Sequence, residues 1–141
     1  MNFLPDNDCL DFLETIRWNG EPICPYCDSE RVTATPKERR RRCNNCNTAF
    51  SVTVGTIFHR THLPLPKWFA AISLILDART PIPARHLARQ LSIDKNTAWR
   101  IGRRIHAAML EPSQRDLLLE IADLSETYAD VAISRRIGAT K

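Results

Sequence analysis

Residues 23–50 read ICPYCDSERVTATPKERRRRCNNCNTAF. Two Cys-x-x-Cys pairs, Cys24/Cys27 and Cys43/Cys46, stand fifteen residues apart, and a run of arginines leads into the second pair. Two residues between thiols let one tight turn aim both sulfurs at a single tetrahedral ion. A second such turn, brought alongside by a short hairpin, closes the shell. The spacing predicts a ribbon in which Cys24, Cys27, Cys43 and Cys46 hold one Zn2+. Pro25 presets the first turn, and Asn44, Asn45 and Asn47 tolerate the geometry of the second. Four thiolates leave no open coordination position, so the ion is expected to be structural and not catalytic. A bound structural zinc contributes on the order of 10 kcal/mol to folding, which so small a hairpin cannot draw from its own core. Four free thiols, or a redox pair, are the competing reading of the same residues.

The rest of the chain sets the context. Its 141 residues fit one ordinary domain or two small ones. Apolar residues at 43% and charged residues at 26% describe a globular protein and exclude a disordered one. No run of about 18 apolar residues exists, so no membrane span is expected. The opening MNFLPDNDCLDF carries acidic residues where a secretory signal needs a basic one. A cytoplasmic, nucleoid-associated location follows as the expectation. Five cysteines in such a compartment argue for metal or free thiols over disulfides. Cys9, the fifth, lies on an apolar helical face and reads as a small buried residue. His59, His62, His86 and His106 do not fall at ligand spacing with the cysteines and read as packing or surface residues.

Helical spacing of Cys9, Leu10, Phe12, Leu13 and Ile16 predicts a short N-terminal helix, with Asp6 or Asn7 as its cap. Trp18 to Pro22 breaks it. Strand-like runs occur at Arg31–Thr35 and Phe50–Val54, and a strand is expected to lead into Cys43. Lys67–Ala78 is apolar all round, which marks a central core helix. Ala84–Leu91, Ser92–Asp94 and Lys95–Leu110 then have the form of two helices joined by a tight connection. Leu87, Ala88, Leu91, Ile93, Ala98, Ile101 and Ile105 are placed to lock the pair, and Ala88 is small where the helices cross. Pro112 stops the second helix. Gln114–Arg136 is amphipathic again, with Leu117, Leu118, Ile121, Leu124, Tyr128 and Val131 three or four residues apart.

Two groups of basic residues point to a polyanion. Lys37, Arg39, Arg40, Arg41 and Arg42 precede Cys43, and in a strand only alternate members face one way. They read either as a solvated face or as a phosphate-contacting edge formed by Arg40, Arg41 and Arg42. In the helix pair, Asp94 is a natural N-cap. Lys95, Asn96 and Thr97 then fill the first turn of the second helix, with Arg100 one turn on. In a helix-turn-helix these positions meet base edges, while Arg103 and Arg104 further along suit phosphates. A plain helical hairpin with solvated arginines is the blander reading. The net charge of +4 is by itself only a weak lean toward nucleic acid.

Specific text then resembles a known family. Ile16-Arg17-Trp18, Cys24-Pro25-Tyr26-Cys27, Arg42-Cys43-x-x-Cys46 and Phe50–Phe58 are the first part of it. Thr61–Leu65, Lys67-Trp68-Phe69, Leu87–Leu91 and Thr97–Arg100 complete it, over roughly residues 10–110. This resembles the N-terminal part of bacterial insertion-sequence transposases, in which a zinc ribbon and a helix-turn-helix precede a DDE-type catalytic domain. The resemblance implies binding of transposon-end DNA. It departs after residue 120. The family's first catalytic carboxylate lies in a strand reading like Val-Asp-Glu-Thr-Tyr, and here the text is Leu124-Ser125-Glu126-Thr127-Tyr128. A serine hydroxyl at 125 cannot replace a carboxylate on a divalent metal. With Lys141 as the last residue of this sequence, the remaining acids of such a site are not expected in it. Asp123 and Glu126 are not a site by themselves, so no catalytic residue is assigned.

The expected fold class is α+β, mainly α: a small zinc-ribbon β-hairpin module followed by a helix-turn-helix bundle. The expected divisions are 1–20, an N-terminal helix; 21–62, the ribbon; 63–111, the helix-turn-helix; and 112–141, a C-terminal amphipathic helix. The stripe on that last helix either packs on the protein's own core or forms a homodimer contact. The expected function is a non-catalytic, sequence-specific binder of double-stranded DNA derived from a transposase and used as a transcription regulator. The alternatives are a zinc-ribbon module for a protein partner, a transposase inhibitor, and a decayed transposase remnant.

Overall fold

The computed structural model describes residues 5–35, 39–59 and 61–124. It divides into two compact units, one over Asn7–Thr61 and the other built by the described residues from His62 on. The fold class is α+β, mainly α, as expected: the described residues form five helices and one small antiparallel sheet.

The first unit opens with α1 (Asp6–Trp18). The helix starts at Asp6, so Asp6 and Asn7 lie inside its first turn and neither precedes it as the expected cap. Cys9 and Leu13, four residues apart, are fully buried, as helical spacing requires of a core face. Asn19 and Gly20 both take positive φ and end the helix.

Strands β1 (Val32–Thr35), β2 (Arg40–Cys43) and β3 (Ala49–Phe50) follow. They form an antiparallel sheet in the order β1-β2-β3, the ribbon hairpin of β1 and β2 with β3 added along β2. Val32 pairs with Cys43, Thr35 with Arg40, and Arg41 with Phe50. Phe50 is fully buried and meets Trp18 edge to face, with centroids 5.9 Å apart. Such aromatic pairs add ~1 kcal/mol beyond their buried area. This contact docks the end of α1 on the sheet.

The strand expected over Phe50–Val54 is cut to its first residue. Beyond Phe50 the chain turns, with Val54 N–H donating to Ser51 O and Thr56 N–H to Thr53 O. The cause lies in α1. The Arg17 guanidinium donates to the carbonyls of both Val52 and Val54, taking two acceptors that a longer strand would offer to a neighbour. Burial lowers the Arg17 pKa from its ordinary value. Gly55, at φ +84°, completes the turn, and a Cβ there would lie 3.2 Å from Arg17 Nη2.

In the second unit α2 (Leu65–Asp77) starts two residues before the expected Lys67. Pro66 falls in its first turn, where a missing N–H has no partner to lose. Trp68, Phe69, Ala71 and Ile72 are buried, as so apolar a helix demands. Helices α3 (Ala84–Leu91) and α4 (Lys95–Ala108) have the expected starts and the expected three-residue connection. Ser92 closes α3 in the left-handed region at φ 56°, and Ile93 N–H donates to Ala88 O. Leu87, Ala88, Leu91, Ala98, Ile101 and Ile105 are buried, and Ile93 is half-buried.

A fifth helix, α5, covers residues 112–124. Pro112 opens it and does not merely stop α4. Its fixed φ suits a first helical position, and Arg115 N–H donates to Glu111 O just ahead of it. Leu117, Leu118, Ile121 and Ala122 are buried within the chain, so this part of the stripe packs on the protein's own core. The remainder of the expected helix, with Tyr128 and Val131, lies outside the described residues, as do Ser125, Glu126 and Lys37. No described helix is long and apolar enough to cross a membrane.

Candidate metal centre and basic faces

Cys24, Cys27, Cys43 and Cys46 converge, their sulfurs all within 4.8 Å of one another. Cys24 Sγ and Cys46 Sγ are 3.7 Å apart, and Cys27 Sγ and Cys43 Sγ 3.4 Å. A tetrahedral zinc with Zn–S bonds of about 2.3 Å sets its sulfurs about 3.8 Å apart, so the cage has the size of one such ion.

Two equivalent turns build it. In the first, Cys24 N–H donates to Ser29 O and Asp28 N–H to Cys24 O. In the second, Cys43 N–H donates to Thr48 O and Asn47 N–H to Cys43 O, at matching distances of 3.0 and 2.9 Å. Asp28 and Asn47, each four residues after the leading cysteine, take φ of 61° and 60°. Asp and Asn tolerate this left-handed conformation better than other side chains. The role of Asn47 was legible in the sequence. That of Asp28 was missed, although an Asp or Asn one place after each Cys-x-x-Cys was there to be read.

Backbone amides complete each knuckle. Tyr26 N–H points at Cys24 Sγ, and Asn45 and Cys46 N–H point at Cys43 Sγ, each at 3.4 Å. The Cys46 and Asn45 amides and the neighbouring sulfurs hold the Cys43 thiol down to about 6, against burial. Burial pushes the Cys24 thiol up to about 11. A buried sulfur that resists ionisation while facing three others is the environment a divalent cation resolves, because the ion stabilises every thiolate around it. The donor set therefore fits one structural zinc, with all four positions filled by protein. Cys9 is buried and outside the cage, as expected.

The arginine run divides by strand alternation. Arg40 and Arg42 are exposed. Arg41, on the opposite face, lies over the Trp18 ring at 5.8 Å and 3.8 Å from Glu14. Arg39, in the turn just before β2 with φ 53°, pairs with Asp11 at 2.8 Å and Glu14 at 3.2 Å. Arg39 and Arg41 thus tie β2 to α1 through its carboxylates. These ion pairs left no signal in the sequence, since their partners lie some 25 residues away.

On α4, the Asp94 carboxylate accepts Thr97 N–H at 2.7 Å and the Thr97 hydroxyl at 3.0 Å. These bonds lower the Asp94 pKa from its ordinary value, the Thr97 amide first. Thr97 therefore spends its hydroxyl on the cap. Ala98, Ile101, Ile105 and Ala108 form the buried stripe. At 100° per residue, Asn96, Arg100 and Arg103 fall on the opposite side, with Lys95 and Arg104 at its flanks. All five are exposed. Sequence reasoning passed over Trp99, which is 55% exposed on the same face, with the Arg103 guanidinium 4.8 Å over its ring. Trp99 and Arg103 also border a cavity of about 410 Å³ floored by Ile75, Ile82, Leu87 and Ala98.

Comparison with known proteins accords with this centre. Residues 4–49 match the family model of the transposase zinc-ribbon domain. Over 137 residues the chain is 27% identical to an uncharacterized protein in transposable element ISH50 of Halobacterium salinarum. That alignment covers 95% of this chain and 45% of the relative, so the chain spans about half the length of the curated protein it matches. No solved structure matches. The ribbon region is thus similar to transposase zinc ribbons, and the chain is similar over most of its length to a protein of a transposable element.

Proposed function

We propose that this chain is a sequence-specific binder of double-stranded DNA, of transposase descent, that acts without cutting chemistry of its own. The observation that carries this reading is the outward face of α4. Asn96, Arg100 and Arg103 share one exposed side of a helix whose other side is locked into a core, behind a capped N-terminus. Arg and Asn are the side chains that pair bidentately with guanine and adenine edges in the major groove. In this reading α3, the Ser92–Asp94 turn and α4 form a helix-turn-helix, with α4 as the reading helix. Lys95 and Arg104, at the flanks, meet phosphates. In the ribbon, Arg40 and Arg42 are the phosphate contacts, and Arg41 contributes by holding β2 against α1. When bound, zinc supplies no reactivity and keeps the two knuckles closed.

Regulation of transcription is one use of such a binder, and recognition of transposon ends is the use its descent suggests. The test is selection from a random duplex pool by the zinc-loaded protein at several salt concentrations. An enriched motif, with affinity falling steeply as salt rises, supports the reading. No motif, with retention indifferent to salt, overturns it.

A second reading, a module for a protein partner, draws on the exposed apolar residues Ile23 and Tyr26 around the first knuckle. It requires a defined complex with a protein and no retention on duplex DNA.

A further inference from the structure

Trp99 stands at one edge of the α4 outward face, next to Arg103 and Asn96, and more than half of its surface is open. A single exposed apolar residue needs no explanation in general. Three further observations give this one a direction. Its neighbours on that face are hydrogen-bonding side chains suited to base edges. The Arg103 guanidinium lies over the indole ring at 4.8 Å, a cation–π contact that favours one placement of the ring. The adjoining cavity holds Arg79, Arg103 and His106 in its lining and no carboxylate, so the surroundings complement a polyanion.

Within an intact duplex the bases stay stacked and present only their edges to a helix in the major groove. One group on those edges is apolar, the C5-methyl of thymine. On a base edge, that methyl is the group that matches a large apolar side chain. We infer that Trp99 is a specificity-determining residue that reads a thymine methyl group, with Arg103 held over its ring as a pre-oriented donor to the neighbouring base pair or phosphate. This inference rests on the DNA-binding reading above and adds to it a named base and a named atom.

The experiment uses the full-length, zinc-loaded protein and the duplex motif enriched by selection. Each thymine in the motif is replaced in turn by deoxyuridine, which removes the methyl and keeps every hydrogen-bonding group. For the wild-type protein, one replacement per recognition helix weakens binding about four-fold, the factor expected for one buried methyl group. Trp99→Ala binds the thymine and deoxyuridine duplexes equally, and Trp99→Phe retains part of the discrimination. Zinc content and far-ultraviolet circular dichroism establish that each variant folds. If Trp99→Ala does not fold, the wild-type series and Trp99→Phe still decide. A wild-type protein indifferent to every replacement overturns the inference, as does a Trp99→Ala protein that keeps the full discrimination. Either result leaves the DNA-binding reading intact. Failure to enrich any motif overturns both together.

Discussion

Asp28 and Asn47 occupy the same place in two successive knuckles, each four residues after a zinc-ligating cysteine and each with φ near +60°. The pair shows how this fold gets four sulfurs into one small volume. Each leading cysteine folds its chain back on itself, and the residue that completes the loop must bend left-handed. Replacing Asn47 by Val puts a β-branched side chain into that conformation, at about 1–2 kcal/mol. We expect a zinc affinity lower by roughly 5- to 30-fold, measured by competition with a chromogenic chelator. Asn47→Gly, which is free of that strain, should bind as well as wild type or better.

Removing the ion should unfold the ribbon. The sheet has only ten residues in strands and takes its order from the cage. Chelation, or Cys43→Ser, should abolish bound zinc and the protection of the β1–β2 amides from hydrogen exchange. The α2–α4 amides, which belong to a separate compact unit, should stay protected. A ribbon that remains protected without metal would contradict the structural role.

Arginines 41 and 42 are adjacent, yet they should behave differently. Arg41→Ala loses the stack on Trp18 and should lower stability by about 0.5–1 kcal/mol, read by urea denaturation. Arg42→Ala should leave stability unchanged, weaken all duplexes alike, and reduce the salt slope by about 1. Arg100→Ala should instead relax base preference at one position, at about 1–3 kcal/mol. Equal effects on selected and random duplexes from Arg42→Ala and Arg100→Ala would contradict the assignment of roles.

Asp94 makes the stability of the helix pair depend on pH. Its pKa is lowered in the folded protein, so its contribution is complete above the ordinary Asp value of about 3.9 and disappears as pH falls through the lower, folded value. Asp94→Ala should therefore have a lower Tm than wild type at pH 6, and the gap should shrink as the pH falls below the ordinary Asp range. A gap that persists in acid would mean the carboxylate is not the cap.

Gly55 answers to Arg17. A methyl group at this position meets Nη2 at 3.2 Å on a backbone at φ +84°. Gly55→Ala should destabilise by about 1–2 kcal/mol in chemical denaturation. Pairing it with Arg17→Met should give less than the sum of the two single effects, because the variants share one contact.

The sequence by itself determined the metal site and the helix pair, because both are set by neighbours a few residues apart. Two residues between thiols give a knuckle whatever surrounds it, and an Asp before Lys-Asn-Thr gives a helix start. The apolar spacing in α3 and α4 likewise settles which sides turn inward. Tertiary structure decided the rest. Arg17 reaches 35 residues along the chain to the Val52 carbonyl, and so ends a strand that local composition favours. Arg39 and Arg41 find carboxylates on α1 while Arg40 and Arg42 keep theirs free of such partners in the described ion pairs. Trp99 faces outward because Ala98 and Ile101 already fill the buried side of α4. Strand alternation and helical period limit where a side chain points, but its partner is chosen by whatever the fold brings opposite, and that lies many residues away.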